Sequence, residues 1–279
     1  MRILVVDDIL DFGDVVARAL EGTPHEVTAV LSPEALPRVL REQGFDLAFV
    51  DMDFYYADSC QTGLTALRHL TGHAVRAIIY SLDSEDNRLL FLLAAFQFYD
   101  PLTLLSKGEG SQKIRHLIDL VDQGTDLGPD PGTDRYRPPC DRASVLDRLI
   151  HKPADLDIWV ALSRFPGRLE VAHASHVSAR TIDEFLADRY AVMQEIRMLQ
   201  PGRHQAGSDI AVGVTGVAGH HGGKREKREL LGPMHAFAVT HQHFFHDPEV
   251  RALLEERERS SRMSGMTAAP RAGRRRNQM

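Results

Sequence analysis

The first eight residues, MRILVVDD (1–8), decide the fold. Residues 2–6 read as a short buried strand of the parallel-sheet kind, with β-branched and leucine side chains and no polar alternation. Asp7 and Asp8 follow at once, at the carboxyl end where open α/β sheets place their ligands. Adjacent carboxylates repel and need a cation or hydrogen-bond donors nearby. Taken alone, the pair reads equally well as a helix cap at Asp8 beside a solvated Asp7.

Outward from this stretch, residues 1–124 alternate between strand-like and helix-like segments. Further strands are expected at 26–30, 47–50, 77–80 and 102–105. Helices are expected near 11–21, 33–42, 63–71, 84–96 and 111–122, the second opening with Pro33 at its first position, where a missing N–H costs nothing. This alternation predicts an α/β fold with a doubly wound, five-stranded parallel sheet. Residues 125–140 are rich in Gly, Pro and Asp and read as a linker. Residues 141–200 follow an all-helical pattern. A flexible insertion is expected over 201–233, a helical segment over 234–262 and a disordered basic tail over 263–279.

The 279 residues suffice for two domains, and the hydrophobic (43%) and charged (26%) shares are those of a globular chain. No apolar run reaches the roughly 18 residues of a membrane span, and no signal-peptide pattern opens the chain. Cys60 and Cys140 lack metal-ligand spacing, so a cytoplasmic location is expected. The net charge of −6 divides unevenly: residues 1–124 carry 10 Lys/Arg against 19 Asp/Glu, and the remainder 23 against 20. An acidic half and a mildly basic half suggest two tasks.

The acidic pair has companions. Asp51 follows the apolar run of DLAFVD (46–51), Ser81 ends AIIYS (77–81) and Lys107 ends LTLLSK (102–107). Four strands thus deliver polar groups to one edge of the sheet. Carboxylates suit Mg²⁺, while a hydroxyl and an ammonium suit phosphoryl oxygens. On VVDD, DLAFVD, IIYS, Gly63 and LLSK, residues 1–124 resemble a response-regulator receiver domain. The resemblance implies Asp51 as phosphoacceptor, and Asp7, Asp8, Asp51 and the Asp53 backbone carbonyl as Mg²⁺ ligands. It also implies Ser81 as switch hydroxyl and Lys107 as the phosphate-pairing cation. Gly108 stands where that family usually has proline, Leu104 where it has an aromatic switch residue, and the loop MDFYYADSCQTG (52–63) is longer than usual.

An enzyme reading stands beside it. Asp51 and Asp53, then Ser81 and Lys107, also resemble the haloacid dehalogenase phosphatase pattern, with Asp51 as nucleophile and Asp53 as acid. That pattern needs an acidic pair downstream of the lysine, where residues 108–124 offer only Glu109, Asp119 and Asp122. The expectation is a protein that is not an enzyme.

Within LEVAHASHVSARTIDEFLADRY (169–190) the spacing is that of a helix-turn-helix, with Ala172 at the crossing and Ser178 as cap of the second helix. VSARTIDEFL resembles the recognition-helix start of LuxR-type regulators of the NarL/FixJ class, with His176 where that family often has glycine. Ser178, Arg180, Thr181, Asp183 and Glu184 become the candidate DNA-contacting residues. Three arginines against four acids over 178–200 leave open a helical bundle that binds a protein instead. The histidines at 235, 241, 243 and 246 alternate with phenylalanines and read as a packing surface. The resemblances together imply a two-component response regulator, phosphorylated by a sensor histidine kinase. They also imply binding to DNA, dimerisation through the helix 4–strand 5 surface on phosphorylation, and no engagement of a membrane.

Overall fold

The computed structural model describes residues 1–54, 61–82, 88–125, 127, 131–199 and 225–267. Five strands, β1 (Arg2–Val6), β2 (Glu26–Val30), β3 (Leu47–Val50), β4 (Arg76–Ser81) and β5 (Leu104–Ser106), form one parallel sheet in the order β2-β1-β3-β4-β5. Helices α1 (Leu10–Ala19), α2 (Leu36–Glu42, entered through a 3₁₀ turn at Pro33–Ala35), α3 (Gly63–Gly72), α4 (Arg88–Phe98) and α5 (Ser111–Asp122) connect them. This is the flavodoxin-like order, whose direction reverses between β1 and β3 and opens a crevice at the carboxyl edge. The fold is thus the doubly wound α/β sheet expected, followed by helices.

Successive strand residues point to opposite faces of the sheet, and the two faces are closed differently. On one, Ile3, Val5, Phe49, Ile78 and Leu105 meet Val16 and Leu20 at α1 and Ile114 and Ile118 of α5, forming a self-contained core. On the other, Leu4, Val6, Val50 and Ile79 meet α2, α3 and α4 in a core that continues without a break into the C-terminal helices.

Helix α4 explains that continuity. Residues 88–96 are all buried, which a helix with one wet face cannot be. The outer side is covered by Phe244, edge-on to Phe91 with centroids 5.2 Å apart, and by Tyr136, stacked on Phe96 at 5.9 Å. Gln97 completes the cover: its amide nitrogen donates to Asp147 Oδ1 (2.5 Å), and its oxygen accepts from Ser144 Oγ (2.6 Å). The α4 part of the surface expected to form a dimer on phosphorylation is occupied within the chain here, because the outer face of the helix is apolar.

The covering helices are α6 (Pro131–Asp134), α7 (Val145–Leu149), α8 (Pro153–Arg164), α9 (Arg168–Ala174), α10 (Ala179–Met198), α11 (Arg225–Thr240), α12 (Gln242–His246) and α13 (Pro248–Thr267). Helices α10, α11 and α12 gather around Trp159 of α8, whose ring stacks on Phe245 (4.9 Å) and meets Phe185 and Phe237. Its indole N–H donates to the Leu149 carbonyl at 3.2 Å.

Three sequence expectations are corrected. Part of 125–140, expected as an unordered linker, is packed: Tyr136 is 2% exposed and Arg137 pairs with Asp100. Tyr136, the buried Thr133 and Arg137 over the Phe96 ring together anchor this short Pro/Gly-rich segment. Residues 225–233, expected inside a flexible insertion over 201–233, are helical, and α11 runs through Pro233 because Met234, Phe237 and Ala238 bury against the helices it crosses. Residues 263–267, expected in the tail, extend α13. The parts of these expectations at 200–224 and 268–279 lie outside the described residues.

Candidate functional site

The carboxyl ends of β1, β3, β4 and β5 meet at one point. Among the described residues, Asp7, Asp8 and Asp51 each offer a carboxylate oxygen lying within 4.8 Å of the others. Lys107 Nζ reaches this group from β5, 2.7 Å from Asp7 Oδ2 and 2.5 Å from Asp51 Oδ2. Asp51 Oδ1 accepts the Met52 N–H at 2.7 Å, and Asp7 Oδ1 accepts the Ile9 N–H at 3.0 Å. Ile9, not Asp8, precedes α1 as its cap residue, so the helix-cap reading of Asp8 gives way to the clustered one. Asp53 lies half-buried just beyond, outside this convergent set.

Burial shapes the electrostatics. It drives the Asp7 carboxyl above its ordinary range; Lys107 pulls it back only in part, and Asp8 adds a push upward. Burial alone would lower the Lys107 ammonium, but Asp51 and Asp7 more than offset that and its net direction is up. Tyr80, on the opposite face of β4, is pushed up to about 12 by burial and by the charge of Asp7. Ser81 is fully buried, and its Oγ has no hydrogen-bond partner among the described residues. The chemistry on offer is a nucleophilic carboxylate beside an ammonium, a hydroxyl donor and two more carboxylates able to hold a hard cation.

Local backbone fixes these positions. A Cβ on Gly63 would collide with the Asp51 carbonyl and the Met52 backbone, so only glycine lets α3 start so close to Asp51. After β5 the lysine loop closes as a turn, with the Glu109 N–H donating to the Ser106 carbonyl (3.0 Å) and the Gly108 N–H to Ser106 Oγ (3.2 Å). Leu104, half-buried, packs against the shared core. Among residues 108–124 the phosphatase pattern finds no matching acidic pair: Glu109 pairs with Lys113, and Asp119 and Asp122 lie on α5.

Two contributions were not legible. Phe12, on α1, lies beneath the lysine with its ring centroid 4.1 Å from Lys107 Nζ; in sequence it is one more apolar residue of an amphipathic helix. Asp247 and Glu249, at the start of α13, reach the start of α3, just beyond Asp51 in the chain. Thr62, the cap of α3, donates to Asp247 Oδ2 at 2.6 Å, and Glu249 accepts from Arg68 (3.2 Å) and from the Tyr99 hydroxyl (3.0 Å). Burial pushes Asp247 up to about 6 against the pull of Thr62 and two backbone N–H groups.

The second candidate region is α9–turn–α10. Val171, Ile182 and Phe185 are buried, and Ala172 is 6% exposed at the crossing. Ser178 caps α10, its Oγ accepting the Thr181 N–H at 3.1 Å. His176 adopts φ +56°, and the Val177 N–H returns to the Ala172 carbonyl at 3.0 Å, the closure that usually places glycine at the left-handed position. Arg180 and Thr181 are exposed. Arg180 Nε pairs with Glu184 at 2.8 Å and Asp183 with Arg168 at 2.6 Å, so the expected contact residues form a set of internally paired charges.

No family model matches the chain, and no curated protein matches it by sequence. Solved structures do. The response regulator RcsB of Salmonella typhimurium is 14% identical over 71% of this chain and 92% of its own, with a TM-score of 0.41. A structure of two RcsB dimers bound to two parallel DNAs is 14% identical, over 70% and 91%, with a TM-score of 0.48. The receiver domain of NtrX from Brucella abortus is 18% identical, over 44% and 99%, with a TM-score of 0.38. By its own strand order and the acidic group at its carboxyl edge, the N-terminal part of this chain has the doubly wound fold of a receiver domain.

Proposed function

We propose that the protein is a two-component response regulator that accepts a phosphoryl group on Asp51 and acts as a DNA-binding transcriptional regulator. The observation that carries the reading is the convergence of Asp7, Asp8 and Asp51 on Lys107 beside the unbonded Ser81 hydroxyl. A sensor histidine kinase would be the physiological donor. The Asp51 carboxylate attacks phosphorus, the bond from phosphorus to the leaving group breaks with its electron pair, and an acyl phosphate forms. Lys107 then transfers its hydrogen bond from Asp51 to a phosphoryl oxygen, and Ser81 Oγ donates to another. Asp7, Asp8, Asp51 and the Asp53 carbonyl would hold Mg²⁺, and the fit rests on carboxylates whose burial makes an uncompensated charge costly. When bound, Mg²⁺ supplies positive charge to the transferring oxygens.

Output passes to the helices over α4. The Asp51 backbone abuts Gly63, and Thr62 before it bonds Asp247 of α13, so rearrangement at the acceptor bears directly on the C-terminal helices. The α9–α10 unit would read DNA with Ser178, Arg180, Thr181, Asp183 and Glu184. Because its charges are paired, affinity would rest on dimerisation and a well-matched site, with little hold on random sequence. Homodimerisation on phosphorylation requires release of the helices over α4 or use of another face.

The test is labelling of the full chain by a small phosphodonor with Mg²⁺, followed by DNA capture at low salt. One acid-labile phosphoryl group per chain, abolished in Asp51→Asn and retained in Asp53→Asn, is the expected result. Multiple-turnover ester hydrolysis needing both residues would overturn it in favour of a phosphatase. No DNA captured, phosphorylated or not, would reassign the helices to a protein partner.

A further inference from the structure

Lys107 does its work without the device that the receiver resemblance leads one to expect. Gly108 follows it, and the loop is held by the Lys107 N–H on the Ser81 carbonyl, the turn at Ser106–Glu109 and the Ser106 hydroxyl. A glycine after the lysine leaves the backbone more conformational freedom than a proline would. The lysine side chain is nevertheless 1% exposed and sharply placed.

An ammonium has three N–H donors. Two directions are taken by Asp7 and Asp51. On the remaining side Nζ lies 4.1 Å from the centroid of the Phe12 ring. The ring is itself fixed: it meets Tyr80 edge to face, at 5.9 Å and 87°, and Tyr80 meets Phe49 in the same way at 5.8 Å and 78°. Tyr80 and Phe49 are central strand residues with 1% and 0% exposure, so the sheet core dictates where the face of Phe12 points. A cation over an aromatic face in a desolvated site is attracted by the ring quadrupole, without the directional demand of a hydrogen bond.

We propose that Phe12 is a positioning residue for phosphoryl transfer, its ring face acting as the platform on which the Lys107 ammonium rests and slides. During transfer Lys107 exchanges one carboxylate oxygen for a phosphoryl oxygen slightly farther away. Asp51 ceases to be a full anion at that moment, whereas the ring's attraction is unchanged. Phe12 thus keeps the ammonium in place while its hydrogen-bond partners change, which is the restraint that Gly108 fails to supply. The inference rests on Asp51 being the acceptor.

The experiment uses the full chain with acetyl phosphate and Mg²⁺, and compares wild type, Phe12→Leu and Phe12→Tyr with proteins carrying 3,5-difluoro- or pentafluorophenylalanine at position 12. Fluorination drains the ring face of negative charge at nearly constant shape. Labelling of Asp51 should slow stepwise with fluorination and fall about tenfold in Phe12→Leu, equivalent to about 1.4 kcal/mol. Phe12→Tyr should restore it, at unchanged urea midpoints. In the unphosphorylated protein, the Lys107 Hε protons should be shifted upfield by the ring in wild type and Phe12→Tyr, but not in Phe12→Leu. A flat fluorine series in a wild type that labels normally, or an absent ring-current shift, overturns the role of Phe12 and leaves the acceptor standing. A wild type that shows the shift yet never labels overturns the acceptor assignment and the inference with it.

Discussion

The two faces of the sheet carry the same strands and meet different fates. The face under α1 and α5 is closed by its own neighbours in sequence: Val5 and Phe49 find Val16, Ile114 and Ile118. The face under α3 and α4 needs Phe244 and Tyr136. One face makes a domain, and the other makes a joint. A doubly wound sheet that hands half of its core to the C-terminal helices cannot change shape on that side without those helices registering it.

The largest test of this contrast is truncation at the joint. Phe244→Ala should cost about 3–5 kcal/mol, and sheet and helices should melt in a single transition. Ile114→Ala on the closed face should cost about 2–5 kcal/mol but leave hydrogen exchange in α11 and α12 unchanged. Two separate melting transitions in wild type would break the comparison.

Next comes pH. Asp247 stands at about 6 in the fold against 3.8 unfolded, so the folded state binds its proton more tightly. The stabilisation from that proton is fully present below about pH 4 and lost as pH rises through about 6, a span of up to about 3 kcal/mol. Urea midpoints measured between pH 4 and 7 should therefore fall with rising pH, and Asp247→Asn should flatten the slope. An unchanged slope would remove Asp247 from the joint.

Glu249→Ala should cost about 1–3 kcal/mol by stranding the Tyr99 hydroxyl. The loss should appear as faster exchange at the start of α3 and not in α1. The smallest effect has the opposite sign. His176→Gly should stabilise the protein by up to about 1 kcal/mol, because glycine adopts φ +56° without the Cβ penalty. The gain should register as a higher thermal midpoint.

Much of the sheet is legible in the sequence because central parallel strands bury both faces and read as unbroken apolar runs. The segments 2–6 and 47–50 coincide with β1 and β3, and 26–30 with the half-exposed edge strand β2. The acidic group is legible for a related reason: a polar residue that directly ends such a run can only lie at the carboxyl edge. What the sequence hides is any relation across distance. Phe244 and Phe245 carry the mark of a packing surface, yet nothing local names Phe91 and Trp159 as their partners. Pro233 reads as a boundary, but burial of Met234 and Phe237 outweighs its helix penalty. Phe12 is invisible as part of the site, because a ring that holds a lysine and a ring that fills a core obey the same pattern.

The contact between Phe91 and Phe244 has a consequence for how the protein is made. About 150 residues separate the two, so at 5–20 residues per second the ribosome needs roughly 8–30 s to supply the second after the first. Throughout that interval the Phe91 side of α4 lacks its cover, an apolar surface on a nascent chain. The order of synthesis therefore runs against the order of burial: the N-terminal sheet finishes folding only when residues about 150 positions farther along emerge.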